Sequence, residues 1–207
     1  MKLGAYLYIE KYLRENPNEL DESQKNKLRK ALSANNEGTI PDELLDYMLW
    51  LEGKPSRVDA FYKYLAPKLD KFARDRILEV GCGRRALLAR RLIDAGFTVD
   101  AIDPCLSIEG KHFRKEPYVY DYNLAPYGLV VAMEPCEATE IIIRSCLIKH
   151  VPFVVIACGS PHTAMNGIEF DSVYTYWQYL RDISDKISFT VRPMMNGYIW
   201  PIFSYRV

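Results

Sequence analysis

The chain has 207 residues, 49% of them hydrophobic, and its 27 Lys and Arg residues balance 27 Asp and Glu residues, so the formal net charge is zero. This length fits one ordinary domain with an appendage, and the apolar content is enough for a sizeable core. A neutral chain has no general electrostatic attraction to nucleic acid or to an anionic membrane, which leaves only local basic patches as candidates for such contacts.

The N-terminus and the cysteines predict a cytoplasmic protein. Residues 1–16 carry charge at every turn and lack the apolar core of a signal peptide. No window reaches the ~18 consecutive apolar residues of a membrane span. The five cysteines are odd in number and widely spaced, without a CxxC pair, which favours reduced thiols.

Residues 1–73 predict an all-helical N-terminal region. Apolar residues at helical spacing occupy 1–16, 18–34 and 41–53. A further helix is predicted to open at Ser56, which forms a capping-box pattern with Asp59. The buried face expected for this helix consists of Val58, Phe61, Tyr62 and Leu65.

At Arg76 the pattern changes to alternating strands and helices. The segments 77–80 and 98–102 flank a glycine turn and a helix-length run, and further strands are predicted at 118–120, 129–133 and 153–157. A predicted helix over 137–150 connects the last two strands. Crossover connections imply a parallel sheet covered on both faces, so 74–207 predicts a Rossmann-like α/β domain with a mostly parallel sheet.

The last segment predicts a C-terminal antiparallel β-hairpin. Two strand-like runs, 187–195 and 198–207, flank Asn196-Gly197, a strong two-residue hairpin signal because both turn positions need positive φ. An antiparallel hairpin that closes an otherwise parallel sheet is an unusual ending.

The glycine turn after the first strand predicts a cofactor site with two interpretations. Gly81 and Gly83 allow a tight turn beside a helix, and Asp103 ends the next strand, where a carboxylate can bind a ribose diol. Read as G-x-G-x-x-A through Ala86, the pattern is a dinucleotide fingerprint and predicts NAD. Read as E-x-G-x-G from Glu79, it resembles motif I of class I S-adenosylmethionine-dependent methyltransferases.

Three features favour the methyltransferase interpretation over residues 76–207. Glu79 lies two residues before the first glycine, the NG hairpin matches that family's inserted antiparallel last strand, and no second domain is evident for a dehydrogenase substrate. The stretches at 81–103 and 120–139 resemble most closely those of small uncharacterised methyltransferase-like proteins. The segment 133–146 is also similar, more distantly, to methyltransferase relatives that modify RNA.

The resemblance implies a set of cofactor contacts. The two glycines would line the methionine part of S-adenosylmethionine, Glu79 would support their turn or bind the amino group, and Asp103 would hold the ribose. After the predicted third strand, Asp121 would contact the adenine and Tyr122 would stack on it. The implied cofactor-binding residues are Glu79, Gly81, Gly83, Asp103, Asp121 and Tyr122.

The segment after the fourth predicted strand implies the acceptor side of such a site. Met133, Pro135 and Cys136 would face a small-molecule or RNA methyl acceptor. Glu134 and His162 are candidate general bases, with a solvated loop residue as the plain alternative for each. Methyl transfer is governed by positioning and can proceed without a base.

Two departures from the family pattern support a second hypothesis. Arg85 occupies the third glycine position, and only 104–116 connects strands two and three. A guanidinium there could crowd the methionine moiety or pair with an anionic group. The alternative is a catalytically degenerate methyltransferase fold that acts as a binding or scaffolding module, with an NAD-dependent oxidoreductase as a further alternative.

The cysteines at the predicted strand ends have both a structural and a functional interpretation. The predicted strand ends carry Cys82, Cys105, Cys136 and Cys158, which together with His162 could form a thiol-rich pocket or even a metal site. The structural interpretation is that small, weakly polar residues suit tight turns at strand ends. No metal site is predicted, because no ligand pair has the usual close spacing.

Two further sets of side chains allow a packing role or a nucleic-acid role. Tyr118, Tyr120 and Tyr122 would share one face of the third strand, either under a helix or as a base-stacking platform. Four arginines would either form a solvated helix face or contact RNA phosphates: Arg84, Arg85, Arg90 and Arg91.

Overall fold

The computed structural model describes residues 45, 46, 49, 53, 55–193 and 199–207. The chain divides into two compact units, 1–56 and 57–207. The predicted helices at 1–16, 18–34 and 41–53 therefore fall almost wholly outside the described residues. Of these helices, positions 45, 46 and 49 are described, and they are helical. The second unit contains the sheet.

The second unit opens with helix α1, Arg57–Leu69, followed by a 3-10 turn, Asp70–Phe72. The predicted apolar stripe is largely confirmed, because Val58, Phe61 and Leu65 are buried. Tyr62 is only half-buried. The sequence pattern groups this helix with the preceding ones, whereas in the structure it belongs to the unit that contains the sheet.

One seven-stranded sheet organises this unit, in the strand order β3-β2-β1-β4-β5-β7-β6. Strands β1 to β5 are parallel to one another, and β7 is antiparallel to both β5 and β6. The strands are β1 Arg76–Val80, β2 Thr98–Ile102, β3 Phe113–Arg114, β4 Tyr127–Met133, β5 Phe153–Ile156, β6 Ser188–Pro193 and β7 Ile199–Tyr205.

Three helices accompany these strands: α2 Leu87–Asp94, α3 Ala138–Ile148 and α4 Val173–Asp182. The central strands are buried along nearly their whole length, as expected for a sheet covered on both faces. None of the helices in the described part of the chain is long and apolar enough to span a bilayer.

Most predicted elements are confirmed, including the C-terminal hairpin, whose turn at 194–198 lies outside the described residues. The strand predicted at 118–120 is wrong. The third strand is Phe113–Arg114, which pairs with Ala101 and Ile102 of β2. The short connection after β2 leaves room for only this two-residue strand.

The three tyrosines at 118, 120 and 122 therefore do not share a strand face. Tyr118 is buried, and its hydroxyl lies 2.7 Å from Oγ of Ser145 on α3. Tyr120 is exposed. The alternation of these residues reflects an irregular segment in which each tyrosine has a different environment.

Helix α4 was not predicted from the sequence, although two signals for it are present. Ser172 and Thr175 form a capping box, in which the Ser172 side chain accepts from the Thr175 N–H. Tyr176, Trp177 and Leu180 then supply a buried face at helical spacing.

Candidate functional site

The glycine turn follows β1 at the carboxyl edge of the sheet and is tied to the end of β2. The N–H of Gly81 donates to the Ile102 carbonyl at 3.0 Å. Gly81 has φ +67, and a Cβ built on it would lie 2.8 Å from Cβ of Pro135 and 2.9 Å from its Cα. Glycine is therefore required at this position by backbone conformation and by the close approach of the segment after β4.

Asp103 joins the second glycine to the segment after β2. Its Oδ2 accepts from the N–H of Gly83 at 2.9 Å, and its Oδ1 accepts from the N–H of Cys105 at 2.6 Å. Asp103 is half-buried. A carboxylate has about four lone-pair sites, so each oxygen of Asp103 can accept a further hydrogen bond.

Glu79 lies within β1 and anchors the start of α2. Its side chain is buried, and Oε2 accepts from the N–H of Ala89 at 2.7 Å. That N–H is one of the donors left unpaired at a helix N-terminus. Burial raises the pKa of Glu79 to about 8, against the opposing effect of the Ala89 hydrogen bond and with a smaller contribution from the charge of Asp103.

Between the glycine turn and α2, Ala86 adopts a left-handed conformation with φ 46 and is fully buried. Helix α2 begins only at Leu87. Arg85, at the third glycine position of the resembling motif, is buried and already interacts with other groups of the protein. The carbonyl of Arg84 accepts from both the N–H and the hydroxyl of Ser107, which again links this turn to the segment after β2.

The loop after β4 is backbone-strained. Glu134 and Cys136, on either side of Pro135, have φ 55 and φ 51. Left-handed non-glycine residues cost on the order of 1 kcal/mol or more, and they cluster at functional sites. Arg57, at the start of α1, donates to Oε2 of Glu134 at 2.8 Å, and both side chains are mostly buried.

Two thiols from neighbouring strands meet at the same edge. Cys136 follows β4 and Cys158 follows β5, and their Sγ atoms lie 3.5 Å apart. The Cys136 N–H also donates to Sγ of Cys158 at 3.2 Å. The hydrogen bond from the Cys158 thiol lowers the pKa of Cys136, and the same contact, together with burial, raises the pKa of Cys158.

His162 lies close to this thiol pair. Its ligand atom and the two Sγ atoms all lie within 4.8 Å of one another. Its ring packs edge-on against Tyr176, with centroids 5.8 Å apart. Nε2 of His162 is buried and has no hydrogen-bond partner in the part of the chain that the structure describes. Of the residues searched, Cys82 and Cys105 do not join this group.

Asp121 and Tyr122, which the resemblance places at the adenine, do not directly follow the third strand. Asp121 is exposed on a turn well beyond the actual third strand. The Tyr122 hydroxyl donates to Glu116 at 2.9 Å, and its ring packs against Tyr118 at 5.2 Å. Met133 is half-buried at the end of β4.

A buried ionic network around Asp100 was not predicted from the sequence. Asp100 lies inside β2 and accepts from Arg76 at 3.1 Å and from the Tyr127 hydroxyl at 2.9 Å. Its Oδ1 lies 2.9 Å from Nδ1 of His112, and Arg114 lies 3.6 Å from its Oδ2. Although burial raises it, hydrogen bonds from His112, Tyr127 and Arg76 hold the pKa of Asp100 below its ordinary value.

Comparisons with known proteins give matches only among solved structures. No protein-family model matches the chain, and none of the curated proteins matches it. A structure of WbdD bound to a kinase inhibitor has a TM-score of 0.48 at 11% identity and covers 72% of this chain; this chain spans only 40% of that WbdD chain.

Two further solved structures cover similar shares of the chain. A Listeria monocytogenes protein assigned to the S-adenosylmethionine-dependent methyltransferases has a TM-score of 0.45 at 14% identity, with 70% of this chain and 98% of that chain covered. A human methyltransferase 10 domain containing protein has a TM-score of 0.47 at 13% identity, with 72% and 79% covered.

The architecture agrees with the motif resemblance. The antiparallel strand β7 is inserted between β5 and β6, as the resemblance implies. The chain has an α/β fold whose mostly parallel sheet ends in an antiparallel hairpin.

Proposed function

We propose that this chain binds S-adenosylmethionine at the carboxyl ends of β1 and β2 and transfers its methyl group to an acceptor beside the loop after β4. The observation that carries the proposal is the hydrogen bond from Gly83 to Asp103. It fixes an acidic residue at the end of β2 beside the glycine turn, where free lone pairs of the carboxylate can accept from ribose hydroxyls.

The residues at this edge fit the cofactor in kind. S-adenosylmethionine supplies an electrophilic methyl group on a sulfonium, together with a ribose diol and an amino-acid tail. Gly83, with φ 69, presents backbone without a side chain beside Asp103. Glu79, buried against α2, holds the helix behind the turn in place. Gly81 and Gly83 are proposed to approach the amino-acid tail, and Asp103 the ribose.

Asp121 and Tyr122 are proposed to contact the adenine. Asp121 and Tyr122 are offered by the resemblance, and the exposed position of Asp121 leaves its carboxylate accessible to a ligand. The hydroxyl of Tyr122 is already engaged by Glu116, so its contribution would be the ring face.

The loop after β4 would face the methyl acceptor through Met133, Pro135 and Cys136. Glu134 and His162 are proposed as its general bases. Arg57 holds the Glu134 carboxylate at 2.8 Å, which positions that group and limits its rotation. Methyl transfer is an in-line displacement that depends chiefly on the positioning of the reacting groups. The proposed acceptor is a small molecule or RNA.

A second candidate function rests on two specific observations. Pro135 packs directly against Gly81, and Arg85 is buried where the resembling motif has glycine. Both would favour a protein that retains the fold while the space for the amino-acid tail is filled by its own residues. Such a protein would act as a binding or scaffolding module.

Isothermal titration calorimetry of the full chain distinguishes the proposed methyltransferase from the scaffold and from the oxidoreductase. We expect saturable binding of S-adenosylmethionine and of its demethylated product, with no heat from NADH. No binding of either methionine-derived ligand at millimolar concentration would contradict the proposal and favour the scaffold. Binding of NADH alone would favour the oxidoreductase.

A further inference from the structure

We propose that Cys136, Cys158 and His162 form a binding site for a zinc ion. The three residues come from separate parts of the chain: Cys136 follows β4, Cys158 follows β5, and His162 lies on the connection to α4. Because β4 and β5 are adjacent parallel strands, their carboxyl ends meet at one edge of the sheet. With the ion bound, His162 would be a ligand and not a general base, which leaves Glu134 in that role. The zinc site otherwise does not depend on the proposed methyl transfer.

The spacing of the donor atoms suits a four-coordinate ion. Zinc binds thiolate sulfur at ~2.3 Å and imidazole nitrogen at ~2.0 Å, so sulfurs at tetrahedral angles lie ~3.8 Å apart. The two Sγ atoms lie 3.5 Å apart, and all three donor atoms lie within 4.8 Å of one another. These separations are close to those that one ion bound to all three donors would require.

The environment of His162 gives independent support. Its Nε2 is buried and accepts or donates no hydrogen bond among the described residues. A buried polar atom without a partner is destabilising, so such atoms are rare in folded proteins. The Tyr176 ring packs against the imidazole and restricts its orientation. An ion coordinated through Nε2 would remove this penalty by accepting the nitrogen lone pair.

The kinds of donor atom indicate which metal ions the site would bind. Two thiolates and one imidazole are soft ligands, which favour zinc or copper(I) over magnesium or calcium. Three protein ligands leave a fourth position for water or for a ligand, as in catalytic zinc sites. Cys136 is exposed while Cys158 is buried, so the ion can enter from the solvent side and the open position faces that side.

A disulfide between the thiols is the competing use of the pair. It would require the sulfurs to close to ~2.05 Å, and it would leave Nε2 of His162 without a partner. A metal ion satisfies all three side chains at once. Binding would release the thiol protons to the solvent, since thiolates are the ligands, and no oxidant or reductant is consumed.

The test uses the reduced, metal-stripped full chain titrated with Zn²⁺ and separately with Co²⁺. We expect one equivalent of metal per chain, proton release on binding and a higher melting temperature. The cobalt form should show the intense visible bands of a tetrahedral site and a thiolate-to-cobalt charge-transfer band. No binding, or a weak octahedral cobalt spectrum without the charge-transfer band, would overturn the proposal.

Variants identify the ligands. Zinc binding should weaken at least about tenfold in each of three variants: Cys136→Ser, Cys158→Ser and His162→Gln. Losing even a group that only hydrogen-bonds to a ligand typically weakens metal binding about 10-fold to 100-fold. Cys105→Ser, at an exposed thiol, and His150→Asn, at a left-handed position that asparagine tolerates, should bind as wild type. Unchanged zinc affinity in Cys158→Ser would overturn the assignment.

A thiol count gives a readout that does not depend on variant folding. In the wild-type chain, one equivalent of zinc should protect two thiols from an alkylating reagent. Protection of none would contradict the site. Failure of S-adenosylmethionine binding would leave these results unaffected, so the two proposals can fail separately.

Discussion

The N–H of Gly83 and Oδ2 of Asp103 are joined by a 2.9 Å hydrogen bond that connects the ends of β1 and β2. The second oxygen of the same carboxylate accepts from Cys105. One side chain therefore fixes the glycine turn and the segment after β2 against each other. The same carboxylate is the proposed ribose ligand, so its structural and functional roles can be separated by measurement.

Asp103→Asn is expected to weaken binding of S-adenosylhomocysteine about 10-fold to 100-fold. The change removes the charge and one acceptor, and hydrogen bonds to charged groups contribute about 1.5–3 kcal/mol. Isothermal titration at neutral pH measures the effect. Glu109→Ala, on the same connection and exposed, is the matched control and should bind as wild type. Equal affinities for Asp103→Asn and wild type would remove Asp103 from the site.

Gly81→Ala should destabilise the chain by more than Gly96→Ala. Both glycines have positive φ, which costs an alanine about 1–2 kcal/mol. Only at Gly81 would the new Cβ meet another group, 2.8 Å from Pro135, whereas nothing lies within 4 Å at Gly96. Urea unfolding of the two variants measures the difference, which we expect to be about 1–3 kcal/mol. Equal losses would show that the loop after β4 yields to the added methyl.

Glu79 should make the chain less stable as pH rises. Its folded-state pKa of about 8 lies above the ordinary value of 4.5. The stability that it contributes is fully present below pH 4.5 and is lost as pH rises through about 8, with a slope of up to about 1.4 kcal/mol per pH unit.

Glu79→Gln should remove this slope, since glutamine keeps an oxygen for the Ala89 N–H but does not ionise. Urea unfolding between pH 5 and pH 8 measures it, with Glu109→Gln as a control that retains the wild-type slope. A Glu79→Gln variant with the full wild-type slope would show that Glu79 ionises normally in the folded chain.

Asp100→Asn should lower the free energy of unfolding at neutral pH by about 2–3 kcal/mol. The substitution leaves the cations of Arg76 and Arg114 beside a buried neutral group, and their partial exposure places the cost below that of a fully buried pair. Because the folded-state pKa of Asp100 is lowered, its contribution is present above the ordinary 3.8 and is lost as pH falls below it.

The difference in stability between wild type and Asp100→Asn should therefore shrink below about pH 4. Chemical unfolding across the acid range measures it. Asp182→Asn, at an exposed aspartate paired with Arg181, is the control and should change stability little. A pH-independent gap between wild type and Asp100→Asn would place the cost in packing alone.

Much of the sheet could be predicted because its strands carry their signal locally. The buried apolar runs of β1, β4 and β5 and the Asn196-Gly197 turn each fix an element without reference to the rest of the chain. Strand β3 could not be found in this way. It has two residues and is half-buried, and its pairing with Ala101 and Ile102 depends on where the short connection after β2 ends.

The glycine turn and the acidic residue at the end of β2 could be predicted from the motif, whereas the long-range side-chain contacts at this edge could not. Gly81, Gly83 and Asp103 follow from the motif. The Arg57–Glu134 pair joins residues 77 positions apart, and no local pattern encodes such a contact. The convergence of Cys136, Cys158 and His162 is one that their positions after predicted strands allowed, and the adjacency of β4 and β5 brings the two thiols together.

A crystal structure of the full chain with S-adenosylhomocysteine tests the central proposal most directly. We expect the ribose hydroxyls within hydrogen-bond distance of the Asp103 carboxylate and the amino-acid tail along the turn at Gly81 and Gly83. Ligand density away from this edge, or an unliganded edge in which Pro135 still closes on Gly81 and Arg85 stays buried, would contradict it.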